Sequence, residues 1–293
     1  MRPLRLLVLL ACTSPLGAKL PEVTLTPPGP VLRIAVTGDS GGGTARVARG
    51  IARVHAQTPL AAILLTGDNF YPCGVESEHD PRWSINAPLV SIGVPIFPVL
   101  GNHDFCGKSD PDAQIRATGI VRNWRFPARQ YAVRSPFADF TFVDTTPLAH
   151  GAKNSVAPAL LATFKGSKAP WRIVVGHHPV ISSGYHGYFP RAEVAQMRTL
   201  IPALREARVD LFIAGHDHHV ELLRGRMAHL ISGAGSSPVP PIKLRTTTVL
   251  PDQIRLERIG FAVVELTAKS IRVRVYDANG KPRTEWIEVG RRR

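Results

Sequence analysis

Three short apolar runs, residues 31–36, 61–65 and 95–100, each lead into a glycine followed by a side chain that carries an oxygen: Gly38-Asp39, Gly67-Asp68 and Gly101-Asn102. An apolar run of five or six residues stopped by a turn signal reads as a buried strand, and residues 44–57 after the first run have helical spacing. Two later runs, 172–175 and 210–214, end in the same way at Gly176-His177 and Gly215-His216. Buried strands alternating with helices build an open α/β sheet, whose ligands bind beyond the carboxyl ends of the strands. Five glycine-flanked blocks, GDSG, GDNFY, GNHD, GHH and GHDH, are thus directed to one edge of the fold.

The rest of the chain fits the same frame. Residues 140–144 read as a strand, 158–165 as a helix and 192–207 as a helix, while 110–136 are loop-rich and carry Arg116, Arg122, Arg125, Arg129 and Arg134. Beyond Leu230 alternation replaces helical spacing, clearest over 261–266 and 271–275, and Asn279-Gly280 marks a closing hairpin turn. Strands paired first with helices and later with one another suit a β-sandwich flanked by helices, with no internal repeat and no linker. One catalytic domain is expected over 31–288, after a Pro-rich lead over 19–30 and before a basic tail over 289–293.

With 44% hydrophobic and 20% charged residues among 293, the composition excludes disordered, collagen-like and membrane-embedded chains. Thirty-six Lys and Arg against 22 Asp and Glu leave a net charge of +14, a field that attracts anions or simply a basic, soluble surface. No basic run interleaved with aromatics points to single-stranded nucleic acid. Residues 1–18 read as an export signal, with Arg2 and Arg5 before an apolar stretch and small residues up to Ala18. Leu9-Leu10-Ala11-Cys12 also resembles a lipobox, which would make Cys12 a lipidated residue. Cys73 and Cys106 each follow a block by a few residues, so convergence of the blocks would bring the sulfurs together. Export would allow a disulfide; two free buried thiols are the alternative.

The blocks have the chemistry of a two-metal site. Asp39 and Asp68 at neighbouring strand ends repel unless cations stand between them, and one of them is placed to bridge. Asn102 offers an amide oxygen, and His177 and His216 offer imidazoles, a set that suits zinc, manganese or ferrous iron. His216 and His218, two apart, point to one side on an extended or turn backbone. Tyr71 narrows the metal: a phenol is a poor ligand for zinc or magnesium, whereas ferric iron stabilises the phenolate. A tyrosine packed under the turn is the plainer reading of that residue.

Together, GDSGG, GDNFY, GNHD, VGHHPV and GHDHH resemble the signature of the purple acid phosphatases, within the calcineurin-like metallophosphoesterases, and most of all the small mammalian-type tartrate-resistant enzymes. Trp124-Arg125-Phe126-Pro127 before Tyr131, Val143-Asp144-Thr145, Ser232-Gly233-Ala234-Gly235 and Gly260-Phe261-Ala262 extend the likeness over roughly Val31 to Glu288. The resemblance implies a four-layer α/β/β/α sandwich of two mixed sheets flanked by helices. It also implies that Asp39, Asp68, Tyr71 and His218 hold Fe(III), and that Asp68, Asn102, His177 and His216 hold a divalent ion (Fe, Zn or Mn), with Asp68 bridging. Asn102, His103 and His186 would bind substrate, and His103 and His186 would assist catalysis; His178 receives no role and is read as structural. The implied activity is an exported acid phosphatase, in which a hydroxide held by the metals attacks a phosphate monoester in line with its leaving group. Two departures, Ser40 in place of a frequent Trp and Pro72-Cys73 after the tyrosine, remove no ligand but bear on pocket shape.

Three rivals follow. A phosphodiesterase or nuclease of the same superfamily uses the same blocks but typically lacks the tyrosine. A dinucleotide site at Gly38–Gly43 fails because the glycines are not spaced GxGxxG and no acidic residue lies about 20 positions beyond. A non-catalytic exported or membrane-tethered binding protein has no need of His103 and His186. An oxygen-radical activity of a redox-active iron pair ranks below hydrolysis. The expected partner is a small phosphorylated substrate, with nucleic acid entering only as substrate and a membrane only through a lipidated Cys12. A monomer is expected.

Overall fold

The computed structural model describes residues 20–188, 192–237, 253–256 and 258–289. The export signal and Cys12 lie outside them. Two mixed sheets are stacked face to face. The six-stranded sheet runs, in space, Ile287–Val289, Ile271–Asp277, Gly260–Leu266, Leu32–Thr37, Ala62–Leu65, Ile96–Pro98. Its last three strands are parallel, and the others are antiparallel to their neighbours. The eight-stranded sheet runs Glu22–Thr24, Tyr131–Arg134, Ala138–Phe142, Trp171–Val175, Leu211–Ala214, Ala228–Ser232, Val220–Leu223, Gln253–Leu256. Four consecutive strands at its centre, from Ala138–Phe142 to Ala228–Ser232, are parallel.

Alternation along the strands decides which residues meet. Val36, Leu64 and Phe97 are register partners and therefore share a face. The Phe97 ring stands 6.0 Å from Phe142 of the other sheet, and Tyr131 donates its hydroxyl to Pro98 O at 2.8 Å. That face is the sandwich interior. In Trp171–Val175, Ile173 and Val175 point into this core, while Val174 joins a second one with Phe212, Leu160, Phe164, Met197 and Leu204. The second core holds helices Val156–Phe164, Ala192–Arg198 and Ile201–Glu206 against the back of the eight-stranded sheet. Helix Ala45–Gln57 covers the back of the six-stranded sheet with Val47, Ile51 and Val54 buried. The four layers expected from the sequence are present, and each fully buried aliphatic side chain contributes about 1.5–3 kcal/mol to holding them together.

Two elements differ from the sequence reading. The single helix expected over 192–207 is two, Ala192–Arg198 and Ile201–Glu206. Pro202 has no N–H to give the preceding turn and its ring would press on the carbonyl four residues back, so the second helix restarts around it. The Pro-rich lead contributes a strand, Glu22–Thr24, paired parallel with Tyr131–Arg134. The Asn279-Gly280 turn stands between Ile271–Asp277 and its antiparallel partner Ile287–Val289, with Gly280 at φ 75°. Among the described residues no helix is long and apolar enough to cross a membrane.

Candidate metal centre

Every block sits just past the carboxyl end of a parallel strand. Leu32–Thr37, Ala62–Leu65 and Ile96–Pro98 of one sheet deliver Asp39, Asp68 and Asn102, and Trp171–Val175 and Leu211–Ala214 of the other deliver His177 and His216. The turns are tight. Asp39, Asp68 and His216 have φ of 53°, 53° and 69°, a left-handed conformation that costs about 1–3 kcal/mol per residue and collects at functional sites. Gly67, at φ 92°, has no room for a side chain: a Cβ there would stand 2.6 Å from His177 Nδ1, and at Gly101 it would strike the Asp68 carboxylate. The glycines are there because the blocks approach one another this closely.

The carboxylates are latched across blocks. His216 N donates to Asp39 Oδ2 at 2.9 Å, and His103 N donates to Asp68 Oδ1 at 2.9 Å. The free oxygens, Asp39 Oδ1 and Asp68 Oδ2, enter one group of donors, and the latched Asp68 Oδ1 faces a second. In the first, Tyr71 Oη lies 3.0 Å from Asp68 Oδ2, 3.2 Å from His218 Nε2 and 3.4 Å from Asp39 Oδ1. In the second, His177 Nε2 lies 3.0 Å from Asn102 Oδ1, 3.2 Å from His216 Nδ1 and 3.5 Å from Asp68 Oδ1. Asp68 belongs to both, with one oxygen in each.

Ligands at about 2.0–2.2 Å from one ion stand about 3–3.5 Å from each other, so the spacing of both groups suits a metal. Electrostatics point the same way. Asp39 is 0% and Asp68 1% exposed, and among the described residues neither is paired with a Lys or Arg. Burial works against charge on His218, yet the Asp39 carboxylate beside it pushes its pKa up to about 9. Burial also opposes charge on His177, and Asp68 and Asp39 overcome it. The Tyr71 phenol is driven far up by burial and then by Asp39 and Asp68. A field this negative calls for cations, and a phenol inside it loses its proton only where a strong cation takes the proton's place.

At the mouth, the His103 side chain is 42% exposed, with Nδ1 donating to Pro72 O at 2.7 Å and Nε2 4.0 Å from Asp68 Oδ2. His186 is 26% exposed and its ring centroid is 3.8 Å from that of His216. All nine residues singled out for metal, substrate or catalysis thus come together in one place. His178 is buried against Thr145 Oγ1 at 2.9 Å. Cys73 and Cys106 form a disulfide, Cα atoms 5.2 Å apart, which ties the turn after Tyr71 to the turn after His103.

Several residues that the sequence reading passed over hold this arrangement. Asp104, buried and pushed up to about 7 by burial and then Asp68, accepts from Gly101 N, Asn69 N and Gln114 Nε2 at 2.9, 3.3 and 2.9 Å. Asp217 accepts the backbone N–H of His186 at 2.9 Å and the hydroxyl of Ser182. Both are letters of the blocks themselves, GNHD and GHDH, and could have been read as turn-holding acids. Glu193, which touches His186 and His216, is in no block. The arginines of the middle loop are largely neutralised: Arg116 pairs with Glu78 and Asp110, Arg129 with Asp112, and Arg134 with Glu22 and Asp139.

A four-layer sandwich with two donor groups sharing one aspartate defines a metallophosphoesterase, and the sequence model of the calcineurin-like phosphoesterases matches residues 32–220. The chain belongs to that family, and its curated relatives include purple acid phosphatases and tartrate-resistant acid phosphatases. Purple acid phosphatase 17 of Arabidopsis thaliana is 31% identical over 82% of this chain and 78% of its own length. Tartrate-resistant acid phosphatase type 5 of Sus scrofa is 30% identical over 88% of this chain and 87% of its own. Among solved structures, GAP50, described as the anchor in the inner membrane complex of Plasmodium, superposes with a TM-score of 0.74 at 26% identity, covering 89% of each chain.

Proposed function

We propose that this protein is an exported acid phosphatase with a binuclear metal centre, acting on phosphate monoesters. Asp39, Asp68, Tyr71 and His218 would hold ferric iron, and Asp68, Asn102, His177 and His216 a divalent ion, with Asp68 bridging. When bound, such a pair supplies Lewis acidity to the phosphoryl oxygens and lowers the pKa of an attacking water. His103 and His186 are exposed enough to meet substrate, where they would stabilise phosphoryl charge and give a proton to the departing alkoxide. The basic surface favours approach of an anion. Export rests on the signal-like residues 1–18 and on the disulfide, which persists in oxidising compartments.

The observation that carries this reading is the Tyr71 hydroxyl, set 3.0–3.4 Å from Asp68, His218 and Asp39 rather than packed under the turn. The test is metal analysis of the oxidised protein with its visible spectrum, for wild type and Tyr71→Phe. Iron with a second metal, a pink or purple colour lost in Tyr71→Phe, and hydrolysis of p-nitrophenyl phosphate faster than its diester are expected. A colourless, iron-free protein that prefers diesters would overturn the reading and favour the phosphodiesterase. The likeness to GAP50 supports a second reading, an exported anchor without catalysis. Absence of monoesterase activity in protein carrying both metals would favour it.

A further inference from the structure

Glu193 stands in the first turn of helix Ala192–Arg198, outside all five blocks. One of its oxygens, Oε1, lies 2.8 Å from His186 Nδ1 and 3.2 Å from His216 Nε2. A carboxylate oxygen only accepts, so both imidazoles donate an N–H to it. The consequence differs for the two rings. With Nε2–H turned to Glu193, His216 keeps its lone pair on Nδ1, the nitrogen 3.2 Å from His177 Nε2 in the second donor group. With Nδ1–H turned to Glu193, His186 is left with Nε2 as the nitrogen that exchanges a proton with substrate. The rings themselves are only 3.8 Å apart between centroids, so a shift of the carboxylate moves both.

We infer that Glu193 is a positioning residue: a single carboxylate oxygen sets the tautomer of a metal-holding histidine and of the histidine that serves the leaving group. It thereby links retention of the divalent ion to protonation of the leaving alkoxide. Carboxylates that hold a ligating imidazole in this way are worth about 10–100-fold in metal affinity. The His186 half of the inference rests on the phosphatase reading. The His216 half rests only on the site binding a metal.

Glu193→Gln keeps the shape but removes the charge, so both imidazoles are left with a neutral, weaker amide oxygen as acceptor, and an amide NH2 replaces the second carboxylate oxygen. Calorimetric titration of metal-free protein with Zn²⁺ is expected to show affinity weakened about 10–100-fold in this variant. With metals restored to saturation, kcat for an alkyl phosphate is expected to fall about tenfold or more, that for p-nitrophenyl phosphate by less than about threefold, and KM to hold, since only the poor leaving group needs the proton. General loosening of the helix would instead slow both substrates equally. Glu193→Ala serves as the second variant should Glu193→Gln misfold. Unchanged Zn²⁺ affinity together with parallel losses on both substrates would overturn the inference. So would a third equivalent of Zn²⁺ bound by wild type and lost in Glu193→Gln, because His186, Glu193 and His216 would then be ligands themselves. If wild type hydrolyses no monoester, the phosphatase reading fails, and the titration alone still decides the His216 half.

Discussion

The two sheets contribute unlike halves to the centre. The six-stranded sheet supplies oxygen donors, Asp39, Asp68, Tyr71 and Asn102, from three adjacent parallel strands. The eight-stranded sheet supplies the imidazoles of His177, His216, His218 and His186. The oxygen half is braced three ways: by Asp104 inside the GNHD turn, by backbone N–H groups on Asp39 and Asp68, and by the Cys73–Cys106 disulfide. In the nitrogen half, His177 is fixed by Nδ1 donating to Thr66 O at 2.7 Å, while His186 and His216 lean on the side chains of Asp217 and Glu193, from a loop and a short helix. The buried frame carries the negative charge together with the exposed His103, and the opposite wall carries the exposed His186.

The most direct way to break this contrast is Asp68→Asn. Asp68 is shared by both donor groups, so its loss should empty both, remove colour and lower kcat by about 10³-fold or more, equivalent to about 4 kcal/mol. His216→Asn touches only the nitrogen half and should cost the divalent ion while iron and colour persist. Metal analysis of the two variants checks this, and equal loss of both metals in both would dissolve the distinction between frame and wall. A slightly smaller effect tests the bracing. Replacing Cys73 and Cys106 by Ser opens a link across 33 residues and should lower unfolding stability by about 3–4 kcal/mol, read from denaturant melts. A change under about 1 kcal/mol would show that the turns hold themselves.

The same contrast explains what could be read in the sequence. The oxygen half is legible almost residue by residue, because Asp39, Asp68 and Asn102 each follow a glycine at the end of an apolar run and Tyr71 stands three residues beyond Asp68. His177 and His216 obey the same rule, and His218 is two residues beyond His216. Glu193 does not: it lies on a helix beyond an unrelated loop, and its place beside two histidines is created by packing of that helix near Thr146–Ala149, which no local pattern announces. The strand Glu22–Thr24 was hidden for another reason. It is three residues long, half exposed and enclosed by prolines, so neither alternation nor apolar run marks it, and its pairing comes from a segment more than a hundred residues away. The helix over 192–207 was right in kind but wrong in continuity, since helical periodicity passes through Pro202 although the hydrogen bonds cannot.

Acid gives the finest test of how the two sheets differ. The buried Glu265 of the six-stranded sheet is held by Arg33 and Arg272, both at 2.5 Å. The buried His229 of the eight-stranded sheet has no hydrogen-bond partner for Nε2 among the described residues, and burial depresses its pKa to about 4 from an ordinary value of 6.5. Neutral His229 is therefore the form the fold accepts. Its contribution is fully present above pH 6.5; as pH falls from 6.5 toward 4 the unfolded chain takes up a proton that the folded one refuses, and stability declines. The slope from this one group is about 1.4 kcal/mol per pH unit, and the whole is about 3 kcal/mol by pH 4. Denaturant melts of wild type and His229→Phe across that window should diverge by this slope, the variant losing less. Parallel curves would mean that the eight-stranded sheet admits the charged ring.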